Sequence, residues 1–563
     1  MLYTKYLYKL VNVLCLLMFS SITLASEAAP ESAGSWISIL PPVLTIATAL
    51  AFKRVVPALF LGIWMGAWAI NGFSLFGLWT GLLDTFQVFV TNALSNPDHT
   101  AIVLFSMMVG GMVGIISRNG GMQGIVNHIV KWADSARHAC IATASLGLAI
   151  FFDDYANTLV VGNTMRPVTD SMRVSRAKLA YIVDSTAAPV ACIAVVTTWI
   201  GYEIGLIGDS IGKMEGLDVE AYLLFLNTIP YSFYPIMAIA FVYMVSISGR
   251  DYGPMLEAER LAYKHGSGHA TTVGTKNEET ESIEPIEGKP QRAFNAYIPV
   301  AIMVAGVLVG LYVTGRQALT DIADPTLQDI IGNANSYVAL MWASLVSMLS
   351  AAVLSLVQRI MNLEEVVNAW FHGVRAMLMA MIILILAWPL GEVTDILKTA
   401  DFLVGVLGDA LPAFMLPTLV FLLAAATAFA TGSSWGAMGI LFPLAMPLTW
   451  AVMVAHGQAG PEDMHILYSS IASILAGAVW GDHCSPISDT TILSSLASGC
   501  DHIEHVRTQL PYAMTVGGIA ILTGSLMSAL GSPWWLGIAL GLIILWLILR
   551  FFGKLSSGPE HAQ

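Results

Sequence analysis

From Gly481 the chain reads GDHCSPISDTTILSS, setting Asp482, Ser485, Ser488, Asp489 and Thr490 around Pro486 inside an apolar segment. FFDDYANTLVVGNTMRP carries Asp153, Asp154, Asn157 and Thr158; YIVDSTAAPVA carries Asp184, Ser185 and Thr186; ATGSSWG carries Ser433 and Ser434. Carboxylate, amide and hydroxyl oxygens are the ligands that a hard cation selects, so these sets suit Na+. An ionised side chain at the centre of a bilayer costs at least about 2.5–3.5 kcal/mol, and such residues mark ion or proton pathways. The candidate ion- or substrate-binding residues are therefore Asp154, Asn157, Thr158, Asp184, Ser185, Thr186, Ser433, Ser434, Asp482, Ser485, Ser488, Asp489 and Thr490. Asp184, Asp482 and Asp489 are the expected Na+ ligands. Any single hydroxyl is more readily spent on a carbonyl of its own helix. Their concentration at the proline breaks is what carries the expectation.

Other chemistries fit less well. Adjacent His483 and Cys484 do not converge on one zinc ion, and no second His/Cys cluster has ligand spacing, so no zinc is expected. His483 could titrate near neutral pH or be structural. His502 and His505 read as surface residues. Asp153 is as readily a structural group as a ligand, and Trp435 more readily packs against a helix than against a substrate. An intramembrane aspartyl protease would need two facing aspartates sharing a proton. It would not need the hydroxyl-rich breaks. Cys15, Cys140, Cys192, Cys484 and Cys500 form no C-x-x-C pair, which gives no disulfide framework.

These residues must be held by membrane helices. Only 11% of the 563 residues are charged and 56% are hydrophobic, against about a quarter charged in soluble proteins. Residues 1–25 have the layout of a signal peptide, with an uncleaved leader helix as the alternative. Apolar runs thereafter predict an all-α polytopic protein with about eleven transmembrane helices. Of the 25 Lys and Arg, Lys5 and Lys9 lie in the leader, and Lys213, Arg316 and Lys398 fall on the outer side. The rest fall on the inner side, with the C-terminus cytoplasmic. Segment 139–165 has basic residues at both ends, which predicts a re-entrant hairpin, and 414–449 mirrors it from outside.

The order of elements repeats with inverted topology. The first repeat, 36–248, holds hairpin 139–165 and a helix 179–200 broken near Pro189. The second, 294–530, holds hairpin 414–449 and a helix 467–499 broken at Pro486. A final helix spans 533–551, and the polar stretch 250–293 reads as a disordered cytoplasmic linker. Inverted repeats with discontinuous helices are a transporter architecture, in which freed carbonyls and half-helix ends meet cargo at the midplane. No enzyme active site and no nucleic-acid surface is indicated.

The strings GDHCSPISDTTILSS, FFDDYANTLVVGNTMRP and YIVDSTAAPVA resemble the NhaC family of Na+/H+ antiporters, over about residues 36–530. The resemblance implies inverted repeats, two re-entrant hairpins, two broken helices and commonly a homodimer. It also implies Na+ and H+ as transported ions with no cofactor, a bacterial inner membrane, and Asp154, Asn157, Asp184, Asp482, Ser485, Ser488 and Asp489 as working residues. The family also includes carriers that resemble malate/lactate exchangers or amino-acid transporters, so the second substrate stays open.

Overall fold

A computed structural model describes residues 33–52, 54–266, 285–286, 288–319, 325–407 and 411–556. The leader 1–25 lies outside the described residues. In chain order the first helices are α1 (Leu40–Phe52), α2 (Val55–Ile70), α3 (Leu75–Asp84), α4 (Pro97–Arg118) and α5 (Gly121–Ile129). The first hairpin follows as α6 (Ala136–Ala149) and α7 (Asp154–Ser171), then α8 (Arg176–Ser185), α9 (Ala188–Ala191), α10 (Ile200–Ile211), α11 (Ala221–Thr228) and α12 (Phe233–Ser248). After α13 (Gly253–His265) come α14 (Phe294–Ala318), α15 (Ser336–Val357), α16 (Leu363–Ile396) and α17 (Thr399–Leu407). The second hairpin is α18 (Leu416–Thr431) and α19 (Ser434–Ala455), followed by α20 (Met464–Cys484), α21 (Asp489–Ser498), α22 (His502–Ile519) and α23 (Trp534–Phe551).

Among the described residues nine helices are long and apolar enough to cross a membrane. The bent pair Ala221–Tyr231 and Phe233–Ser248, meeting at 49°, makes ten if it is one span. Two further helices of the expected eleven, Trp36–Ala49 and Val55–Ile70, are apolar but shorter. Segment 179–200 is not one span but α8, the four-residue α9 and an irregular run, after which the chain continues in α10. Both arms of the second hairpin, Ala413–Thr431 and Ser434–Ala455, are long enough to cross. Two further corrections concern polar stretches. Residues 253–265 of the expected disordered linker form α13, anchored by buried Met255, Glu259 and Ala262. Arg250–Asp251 (β1) also pairs antiparallel with Lys554–Leu555 (β2), a minimal sheet in an otherwise helical protein.

Small residues let these helices approach without a hydrophobic driving force between them. Gly306 and Gly310 of α14 lie on Ala343 and Ala339 of α15, and Gly477 and Gly481 of α20 lie on the Phe421 and Ala425 carbonyls of α18. Gly481 of the GDH string is thus a packing glycine. Large apolar side chains of α14, α15 and α23, among them Leu308, Val309, Val346, Val353 and Trp546, point outward, as lipid contact requires.

Candidate functional site

Each break lies against the turn of its own hairpin. In the first, α8 ends at Ser185 and α9 begins at Ala188, with Ala187 at φ −92°, ψ −89°. Asn157 Nδ2 reaches across the turn to the carbonyls of Gly147 (2.7 Å), Ile150 (3.2 Å) and Thr186 (3.0 Å). One amide thus satisfies carbonyls that the hairpin turn and the break both free. A Cβ on Gly147 would overlap Thr186. In the second, α20 ends at Cys484 and α21 starts at Asp489. Ser485 Oγ donates to the Phe429 carbonyl at 2.7 Å, and Gly432, at φ 66°, sits where a Cβ would overlap the Ile487 carbonyl.

The acidic residues separate by environment. Asp153 caps α7, accepting from Ala156 N at 2.7 Å, which assigns it a structural role. Asp154 is 1% exposed; the Trp199 indole and the Asp154 and Tyr155 amides face its carboxylate, but no well-formed hydrogen bond closes on either oxygen. Asn157 Oδ1 and Thr158 Oγ1, on the same face of α7 one turn on, are equally unpartnered. The chain after α9 crosses this turn, with Thr198 N donating to Phe152 O at 2.9 Å, and brings the Thr198 hydroxyl to Asp153 and the Trp199 indole to Asp154. Neither residue stood out in the sequence; a Thr-Thr-Trp run just past a break was the available signal.

Asp184 is the opposite case. Its carboxylate accepts from Thr491 Oγ1 (3.1 Å), Ser494 Oγ (3.2 Å) and Gln509 Nε2 (2.6 Å), joining α8 to α21 and α22. His483 Nε2 lies 3.7 Å from the same carboxylate and 3.0 Å from Ser185 Oγ, while its Nδ1 meets the Tyr234 hydroxyl at 2.6 Å. Gln509 also donates to the His483 carbonyl at 2.7 Å, so its Oε1 must accept, and His505 Nε2 is placed to donate to it at 2.8 Å. His505 is fully buried, which corrects its reading as a surface residue. His502 is half-buried and bonds the Pro486 carbonyl at 2.7 Å. Gln509 and Tyr234 were not legible as site residues, because each lies on an ordinary helix face outside the polar strings, whereas Ser494 lies at the end of the GDHCSPISDTTILSS string itself.

Asp482 is 3% exposed; Oδ2 accepts from Thr490 Oγ1 at 3.1 Å, and Oδ1 has no partner. Ser488 caps α21 and bonds Thr490 at 3.0 Å. Asp489 occupies the exposed first turn of α21, at the mouth of the break, whereas Asp184 and Asp482 are buried. Tyr155 of α7 lies in the electrostatic field of Asp154, Asp482 and Asp489, which ties the first hairpin to the second break. Of the remaining candidates, Thr186 Oγ1 is spent on Ile182 O, and Ser433 caps α19. Ser434 is buried beside it. Trp435 packs on Trp199 and Tyr202, with ring centroids 5.2 and 4.6 Å away, a packing role. Among the described residues no group of three His, Cys, Asp or Glu is placed to hold a metal.

A cavity of about 650 Å³ lies elsewhere, lined by Lys213, Asp395, Lys398, Thr399, Asp401 and Trp450 among others. Lys213 Nζ is 2.6 Å from Asp209 Oδ2, and His99, stacked on Trp388 at 3.7 Å, lies 3.8 Å from Asp209 Oδ1.

A bundle of apolar helices with paired helix breaks and buried carboxylates defines a multi-pass membrane protein of the secondary-transporter class. Residues 190–527 match the family model described as the Na+/H+ antiporter family, and the chain belongs to that family. It is a transporter rather than an enzyme, which sets aside the aspartyl protease alternative. An uncharacterized protein of Haemophilus influenzae is 33% identical over 492 residues, 86% of this chain and 89% of its own. The malate-2H(+)/Na(+)-lactate antiporter of Bacillus subtilis is 37% identical over 98 residues, 17% of this chain and 18% of its own. The fold is similar to that of the YdaH transporter of Alcanivorax borkumensis, with a TM-score of 0.53 at 15% identity over 82% of this chain and 90% of that one.

Proposed function

We propose that this transporter exchanges Na+ for H+ by alternating access, with both ions competing for carboxylates at the two breaks. The observation that carries the reading is the set of buried oxygens with no closed hydrogen bond: both of Asp154, Asn157 Oδ1, Thr158 Oγ1 and Asp482 Oδ1. They are acceptors, and a buried acceptor is satisfied by a cation or by a proton on the carboxylate. Asp184, already held by three donors, ties α8 to α21 and α22 so that the two breaks move together. Asp489, exposed at the mouth of the second break, meets Na+ before Asp482 does.

The same reading takes residues 36–248 and 294–530 as inverted repeats, with 139–165 and 414–449 as re-entrant hairpins. It places the protein in a bacterial inner membrane with a cytoplasmic C-terminus, as a homodimer. In everted membrane vesicles holding a proton gradient, adding Na+ should dissipate the gradient, and Asp482→Asn should abolish the response. A wild-type protein that ignores Na+ but responds to an organic acid would overturn it.

That outcome belongs to a second reading, Na+-coupled exchange of a small carboxylate or amino acid. It is favoured by the similarity to the malate/lactate exchanger and by Lys213 and Lys398 in the 650 Å³ cavity. Uptake of labelled malate, lactate and amino acids, with and without Na+, separates the two.

A further inference from the structure

We propose that Glu203 is a separate proton-carrying site, set between the first hairpin turn and the cavity beyond the far end of α10. Its role in transport rests on the proton-coupled reading above. Glu203 is 0% exposed, and apart from the Cys192 thiol neither Oε1 nor Oε2 has a hydrogen-bond partner. The titratable side chain facing it is the Cys192 thiol, just past α9. Helices α4, α11, α16 and α19 pack on α10; the charged groups that α4 and α16 carry nearby, His99, Glu392 and Asp395, interact with Asp209 and Lys213 at the far end of α10 rather than with Glu203. An ionised carboxylate in such surroundings would bear its desolvation cost with only a thiol to offset it, and such a group takes up a proton instead. Glu203 is therefore a carboxylic acid in this conformation, with the Cys192 sulfur as a weak acceptor.

Its position gives the proton two directions. Trp199 lies one turn earlier on the same helix face, with Glu203 N donating to Trp199 O at 3.0 Å, and its indole neighbours the first hairpin turn. The other end of α10 leads to Asp209 and to Lys213, which lines the cavity. The twelve residues of α10 span about 18 Å at 1.5 Å per residue, so transfer to the cavity needs water or movement of α10. In each cycle the Glu203 proton would pass through water to an ionised Asp154 carboxylate at the hairpin turn, and one from cavity water would replace it on the Glu203 oxygen. The carboxyl is neutral before and after.

The test uses the full chain in lipid vesicles. The infrared carbonyl band of a protonated carboxylic acid should be present in wild type and lost in Glu203→Gln. Cys192→Ala, which leaves Glu203 in place, should shift that band. Glu203→Gln should also slow Na+-driven proton movement by about a hundredfold, the low end of what a positioned proton-transfer group contributes. Exchange of labelled Na+ for Na+, which moves no net proton, should stay near the wild-type rate, and Glu203→Asp should restore part of the proton movement. An acid band unchanged in both Glu203→Gln and Cys192→Ala, or full antiport in Glu203→Gln, overturns the proposal. A wild type without Na+-driven proton movement refutes the antiport reading instead, while the infrared band still decides the protonation of Glu203.

Discussion

Asn157 shows how much one side chain settles in an apolar setting. Its amide nitrogen bonds three carbonyls from two elements, and its amide oxygen is left over beside Asp154. Hydrogen bonds inside membrane proteins average about 0.6 kcal/mol, and the amide has two N–H groups to share among the three carbonyls, so Asn157→Ala should cost about 1 kcal/mol. Thermal unfolding in detergent should fall accordingly, and Na+ protection against unfolding should weaken further than the stability loss alone requires. Gln509 has the complementary role, because it holds Asp184 and the His483 carbonyl at once. Gln509→Leu should slow transport while leaving expression intact; wild-type rates would show that the Asp184 network needs no donor from α22.

At the scale of elements, the contact between a hairpin turn and a helix break is the recurring unit. Gly432 permits it in the second hairpin because the turn needs a left-handed residue and because the Ile487 carbonyl leaves no room for a Cβ. A non-glycine residue in that conformation costs about 1 kcal/mol before any clash is counted. Gly432→Ala should therefore lower both thermal stability and maximal transport rate. Gly405→Ala, inside helix α17 with nothing within 4 Å of the added methyl, is the control and should lower neither, since alanine favours a helix over glycine. Equal behaviour of the two variants would show that the turn and the break do not press on each other.

On the scale of the whole molecule, a buried ion cluster ties α8 to distant parts of the chain. Lys178 Nζ lies 2.8 Å from Asp251 Oδ2 and 3.6 Å from Glu259 Oε2, and Tyr512 donates to Asp251 Oδ1 at 2.9 Å. The cluster joins the helix that carries Asp184 to β1, α13 and α22, and β1 in turn pairs with β2 near the C-terminus. Removing one partner of a buried pair leaves a charge unpaired and costs about 3–5 kcal/mol, whereas replacing both is far milder. Lys178→Met should lower the unfolding temperature strongly, and combining it with Asp251→Leu and Glu259→Leu, which removes both of its acidic partners, should recover much of the loss. If the triple variant is no better than the single, the cluster does not act as a unit.

Composition alone determined that the chain is a helical membrane protein, because 11% charge and long apolar runs have no other stable solution. The prolines at 189 and 486 and the acids around them located both breaks, since polarity that dense cannot face lipid. What the sequence could not assign was the state of each acid. Asp153, Asp154, Asp184 and Asp489 are the same residue type in the same kind of motif. One caps a helix, one is buried with no closed hydrogen bond, one is held by three donors and one is exposed at a mouth. Those differences come from the pairing of Thr491, Ser494 and Gln509 with Asp184 and of Trp199 with Asp154, pairings between different helices that no local pattern encodes. Glu203 escaped notice for the same reason: a lone acid on an apolar helix is legible, but only the packing of α4, α11, α16 and α19 around it shows that nothing there can share its charge.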